Sequence, residues 1–247
     1  MPENTVVFFI AFALACFLTG VSKGGLGGML GALITPMLSL VMPPNLVVGL
    51  MLPVLMLADM FAVAAHWRRW EARLIWMLLL GAVVGVTLAT RLITGLTVET
   101  LRRILGVLAL LFVVYRLSEA RIRSSLRYAP RNWHGALAGS IAGFVSTLAH
   151  AGGPPVSIYL LMQGLSPRAF VATAALFIAV LNWIKVPYYY YAGLFNFEQQ
   201  VRLIWLAPLV PLGVWVGKRL VQQVNRVWFE RVMIVLLSIT GVLLLVR

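Results

Sequence analysis

Apolar runs alternate with short polar breaks along the whole chain. They fall at about 5–22, 26–42, 45–65, 74–92, 101–117, 132–149, 154–163, 169–191, 203–220 and 230–246. Most approach the roughly 20 residues that a helix needs to cross a bilayer. Helices are the expected form, because an open strand edge would leave backbone N–H and C=O groups unsatisfied in lipid. The longest polar stretch, SEARIRSSLRYAPR at 118–131, divides the chain nearly in half.

The two halves share an order of features. Each opens with an apolar run that breaks at glycines, VSKGGLGG at 21–28 and AHAGGPP at 149–155. A short apolar run and a long helix follow each break. The fourth segments carry small-residue steps, Gly81-x-x-x-Gly85 and Gly213-x-x-x-Gly217, of the kind that lets helices approach closely in a membrane. The fifth segments start alike, LRRILGVL at 101–108 and FERVMIVL at 229–236. The pattern predicts an all-α polytopic integral membrane protein built from two repeats, residues 1–117 and 132–247, joined by a basic linker at 118–131. Each repeat is expected to hold a glycine-broken helix pair and three transmembrane helices. Five crossings per half is an odd number, so the second repeat is expected to be inverted. The broken pairs can instead be re-entrant hairpins, which leaves the orientation of the other segments unchanged.

Composition sharpens this picture. Of the 247 residues, 62% are apolar and 11% charged, against roughly 25% charged in a soluble domain. A tethered enzyme, a receptor ectodomain and a soluble DNA binder are excluded. The net charge is +13. With the N-terminus outside, 14 basic residues fall inside and 5 outside, so the positive-inside bias places 118–131 in the cytoplasm and both termini outside. The charge therefore reads as orientation, and nucleic acid is not an expected partner. The single cysteine, Cys16, excludes an intramolecular disulfide and a Cys-based zinc site, and no cofactor is expected. Met1-Pro2-Glu3-Asn4 lacks the basic start of a secretory signal. Short loops suit the cytoplasmic membrane of a bacterium.

The glycine breaks are the candidate chemistry. Unwinding at GVSKGGLGGMLG, residues 20–31, would free N–H groups at the start of the next half-helix, where the helix dipole favours an anion. Lys23 adds a full positive charge there. The second break repeats the design, and Pro154 suits the first turn of a new half-helix. Two inverted breaks can converge on one site near the midplane. The candidate substrate-binding residues are Ser22, Lys23, Gly24, Gly25, Gly27, Gly28, His150, Gly152, Gly153, Asn182 and Lys185. Close helix packing is the alternative reading of any single glycine step.

Polar residues inside spans are costly and need a reason. Asp59 is the one carboxylate well inside an apolar run. It reads either as a proton-coupling site or as a fixed ion pair with Lys23 or Lys185. It lies 31 residues after Gly28, and Lys185 lies 32 after Gly153, so the two can meet across a pseudo-axis. Lys185 can neutralise an anion or snorkel toward the outer interface, a role that the tyrosines at 188–191 favour. Asn182 can donate to an anion or join two helices. His150 can titrate near neutral pH or simply satisfy a polar contact.

At these residues the chain resembles the TauE/SafE family of membrane transporters. The matching pieces are FLTGVSKGGLGGMLGALITPML at 17–38, MLADMFAVAAHWRRW at 56–70, GSIAGFVSTLAHAGGPPVSIYLL at 139–161 and LNWIKVPYYYYAGLF at 181–195. The resemblance implies transport of small sulfur-containing or carboxylate anions, such as sulfite, sulfoacetate and related organosulfonates. The expected partners are then a small anion, membrane lipid, and a proton or sodium ion for coupling. No GxxxxGK[ST] loop is present, so an ion gradient would have to drive accumulation. A channel, or a membrane subunit of a larger complex, is the alternative. Gly20-Val21-Ser22-Lys23-Gly24 fits G-x-S-x-G, with His150 as its base, but a hydrolase elbow needs a strand-to-helix turn.

Overall fold

The computed structural model describes residues 5–26, 29–125, 131–195, 197–220, 223 and 225–246. These form eleven α-helices and no strand: α1 (Thr5–Val21), α2 (Met29–Leu38), α3 (Pro44–Ala65), α4 (Ala72–Gly95), α5 (Val98–Ser125), α6 (Asn132–Ala149), α7 (Gly153–Leu161), α8 (Pro167–Tyr191), α9 (Phe197–Leu203), α10 (Leu209–Leu220) and α11 (Arg226–Val246). A π-helical segment, Ser22–Leu26, prolongs α1. Five helices among the described residues are long and apolar enough to cross a membrane: Val6–Gly25, α3, α4, α8 and Val227–Val246. Large apolar side chains such as Leu80, Val84 and Leu88 on α4 stay exposed at helical spacing. That is the surface expected of a molecule solvated by lipid. The protein is a polytopic helical membrane protein.

Two departures from the sequence pattern have clear causes. The apolar run at 203–220 is not one straight segment. Phe197–Leu206 and Leu209–Leu220 meet at a 49° bend, where Pro208 removes a backbone donor. The polar stretch at 118–131 is not all loop either, because α5 runs on to Ser125. Arg116 on α5 pairs with Glu119 one turn later and, at 3.1 Å, with Glu230 on α11.

The second member of each glycine-broken pair is short. Helix α2 has 10 residues and α7 has 9. At 1.5 Å per residue each covers about half of a hydrocarbon core of about 30 Å, so neither crosses alone. The start of α7 follows from its sequence. Prolines fill its first turn, where a missing N–H leaves no bond unmade.

Small residues set the closest helix contacts. Gly81 and Gly85 of α4 lie against the carbonyls of Ala136 and Ser140 on α6, and Gly139 and Gly143 of α6 answer against Leu78 and Ala82. Gly213 and Gly217 of α10 lie against Phe17 and Val21 of α1, and Gly20 and Gly24 answer against Val210 and Val214. In both pairs the residue numbers rise together, so the paired helices run parallel. Helices α5 and α11 run antiparallel, since Gly106 meets Gly241 while Arg116 meets Glu230. Helices α3 and α8 are likewise antiparallel: Gly49 sits against Leu194 just beyond α8, while Asp59 meets Asn182.

Candidate functional site

The crossing of α3 and α8 gathers the polar residues that the apolar runs contain. Helix α3 contributes Asp59, and α8 contributes Asn182 and Lys185 one turn apart. The π-helical segment brings Lys23, and the C-terminal end of α6 brings Ser146 and His150. Asp59, Asn182, Lys185, Ser146 and Ser22 are all buried.

These residues form two clusters. In the first, the Lys23 ammonium lies 2.6 Å from Asp59 Oδ1, and Asn182 Nδ2 donates to Asp59 Oδ2 at 2.6 Å. Oδ2 is thereby hydrogen-bonded and Oδ1 is met by the ion pair alone, which offsets the cost of burying the carboxylate. Lys23 keeps 20% of its side-chain surface accessible.

In the second cluster the Lys185 ammonium faces neutral acceptors. Nζ donates to Ser146 O at 3.3 Å and to Ser146 Oγ at 3.1 Å, and it lies 3.0 Å from His150 Nδ1. The other ring nitrogen, Nε2, is 3.1 Å from the Val48 carbonyl oxygen. A carbonyl only accepts, so Nε2 carries the proton and Nδ1 is the acceptor for Lys185. All three ammonium protons therefore have partners. Among the described residues, no carboxylate forms an ion pair with Lys185. Lys185 has no accessible surface.

The backbone helps to hold this arrangement. His150 adopts a left-handed conformation, φ 54°, just beyond α6, and its N–H donates to Ser146 O at 2.9 Å. A non-glycine residue is strained there, by roughly 1–2 kcal/mol, and the two ring hydrogen bonds offset that cost. Tyr189, one turn after Lys185, donates its hydroxyl to Thr147 O at 2.7 Å and lays its ring 5.9 Å from the ammonium.

Several sequence expectations change here. Lys185 does not snorkel. It points inward, because Ser146 and His150 supply acceptors within the bundle. Asp59 takes Lys23 and Asn182 as direct partners, and Lys185 stands beyond direct contact, within Coulomb range of both Asp59 and Lys23. Tyr189 is buried, while Tyr190 and Tyr191 are exposed, so the four tyrosines do not act as one belt.

The glycines divide. The missing side chain of Gly24 makes room for the α10 backbone at Val214, and that of Gly152 makes room for α6 at Ala142 and Ser146. Gly25 is exposed and carries the non-helical backbone (φ 171°, ψ −26°) that interrupts the segment. At Gly153 a methyl group would meet nothing within 4 Å. Gly27 and Gly28 lie outside the described residues.

Ser146, Thr147, Tyr189 and the Val48 carbonyl were not legible as site groups. For Ser146 a signal existed, since it sits four residues before His150 and hence on the same face of the chain. The Val48 carbonyl had none, because an i to i+4 partner is the default for a helical carbonyl.

No curated protein and no solved structure matches the chain significantly. The model of one family, described as sulfite exporter TauE/SafE, matches residues 12–244. With nearly its whole length matched, the chain belongs to the TauE/SafE family of membrane transporters.

Proposed function

We propose that this protein is a secondary carrier of small sulfur-containing or carboxylate anions, with the anion received between the two glycine breaks beside Lys23 and Lys185. One observation carries the reading: Lys185 is a fully buried lysine whose contacts are all neutral. The Lys23–Asp59 pair sums to zero. Counting Lys185 as an ammonium, the site holds one surplus positive charge. An unbalanced charge at this depth is costly, and such residues mark substrate or ion pathways. A small anion would give that ammonium a counter-charge in direct contact.

The helix registers support an inverted-repeat frame for this site. Helix α1 packs parallel on α10 as α6 packs parallel on α4, and the equivalent pairs α3/α8 and α5/α11 run antiparallel. Inversion of one half relative to the other requires those relations. In that frame Lys23 and His150 belong to equivalent breaks, and Asp59 and Lys185 to equivalent helices. Accessibility differs between the lysines: Lys23 is partly open, and Lys185 is closed. The anion would meet Lys23 first and reach Lys185 after a rearrangement, as alternating access demands.

The test is uptake of labelled sulfite or methanesulfonate into proteoliposomes, with counterflow to separate a carrier from a channel. Lys185→Gln should lower anion flux at least about tenfold, the value of a lost hydrogen bond to a charged group. Lys185→Arg should retain more of it. Equal flux in wild type and Lys185→Gln would overturn the assignment of the site.

A further inference from the structure

The contact between Lys185 and His150 has room for one proton fewer than its two bases can hold. Their facing atoms, Nζ and Nδ1, are 3.0 Å apart. With Nε2–H committed to the Val48 carbonyl, a proton on Nδ1 would point straight at the ammonium. Two cations in direct contact at this depth, with no counter-charge between them, are strongly disfavoured. With Lys185 counted as the ammonium, the pair without an anion therefore holds a single positive charge.

We propose, building on the carrier reading above, that Lys185 and His150 form the binding site for a coupling proton that enters together with the anion. The anion takes the place between Nζ and Nδ1. The Lys185 ammonium turns from Nδ1 to the anion, and Nδ1 binds one proton from solution and donates it to the same anion. Atoms and charge balance: the pair goes from +1 to +2 while a monoanion adds −1. The site's net charge is the same loaded or empty. Proton and anion are then linked reciprocally, each raising the affinity for the other.

The surrounding elements leave few rivals for that proton. On the π-helical segment and α3 stand Lys23 and Asp59, already paired with each other. Helix α8 adds Asn182 and Tyr189, and α6 adds Ser146 and Thr147. From α5 and the end of α2 come apolar groups, Leu105, Leu108 and Leu40, beside Ala149 and Ala151. From α4 come Ala89 and Ile93 against Leu148 and Tyr189. Among the described residues Asp59 is the single competing acid at the site, and its two oxygens face Lys23 and Asn182.

The experiment is calorimetric binding of methanesulfonate to the full-length protein in lipid nanodiscs, in two buffers of different ionisation enthalpy. The anion itself does not titrate near neutral pH, so any proton counted belongs to the protein. The expected result is uptake of close to one proton per anion. Affinity should tighten by up to about tenfold per pH unit as the pH falls through the range where imidazole titrates. His150→Gln, which keeps a donor and an acceptor but cannot titrate, should bind more weakly and take up no proton. Asp59→Asn should still take up one proton, whatever its affinity. Binding by wild type without proton uptake overturns the inference and leaves the carrier reading standing, an outcome that needs no variant to fold. Uptake retained in His150→Gln, or lost in Asp59→Asn alone, also overturns it by placing the proton elsewhere. Absence of any binding by methanesulfonate, sulfate or sulfite overturns the carrier reading and the inference with it.

Discussion

Asp59 on α3 and Lys185 on α8 each reach back to the glycine break of their own half, with opposite electrostatic results. Asp59 finds a cation there, Lys23, and the first cluster is neutral. Lys185 finds an imidazole and a serine, so the second cluster offers an ammonium no counter-charge. The two helices thus meet their breaks with different electrostatics. The neutral cluster fastens the first break to α3 and, through Asn182, to α8. The Lys185 cluster is held by neutral partners, which on the proposed reading an incoming anion would displace. On the proposed carrier reading, holding and receiving are separated onto the two clusters.

Breaking the neutral cluster should have the largest effect on stability. Lys23→Leu leaves the Asp59 carboxylate buried with one neutral donor, and should destabilise the protein by about 3–5 kcal/mol. Adding Asp59→Leu should recover most of that loss. Chemical unfolding in detergent micelles measures both, and equal stability of Lys23→Leu and wild type would show that the pair carries no structural load.

The charged cluster should respond differently. Lys185→Met removes a donor from neutral acceptors and should cost less than Lys23→Leu, about 1–3 kcal/mol, in the same unfolding assay. A cost above that of Lys23→Leu would reverse the contrast between the clusters. Asn182→Leu, which takes one donor from the Asp59 carboxylate, should fall in the same range of about 1–3 kcal/mol. Its loss should shrink when Asp59→Asn is already present, because the charge it serves is gone.

The breaks themselves give the smallest contrast. Gly24→Ala would press a methyl group into the α10 backbone at Val214 and should cost about 1–3 kcal/mol. Gly153→Ala would meet nothing within 4 Å and should change thermal stability by no more than about 0.5 kcal/mol. Its effect on anion affinity is then free of any packing contribution.

The broad fold was legible because lipid leaves the backbone few options. The apolar runs at about 45–65, 74–92 and 169–191 could be little else than spanning helices, and the glycine steps at 81–85 and 213–217 do make close helix contacts. The bend near Pro208 was readable in principle from the proline, but a run that stays apolar on both sides hides it. Asp59, Lys23, Asn182, Lys185 and His150 stood out as polar residues in apolar surroundings. Their pairing was legible only in part: the ion pair of Asp59 with Lys23 was one of two offered, and sequence spacing could not choose between them because it places residues on helices without fixing helix rotation. A spacing of 31 or 32 residues from each break suggested that Asp59 and Lys185 meet. The registers instead set each beside its own break.

Anomalous diffraction from crystals grown with selenate tests the account most directly, because selenium marks where a sulfur oxyanion sits. The account predicts a selenium peak between the two breaks, with selenate oxygens within hydrogen-bonding distance of Lys185 Nζ and a shifted His150 ring. Selenium found at the exposed arginines 68, 69 and 73, with Lys185 still bound to Ser146 and His150, would contradict it.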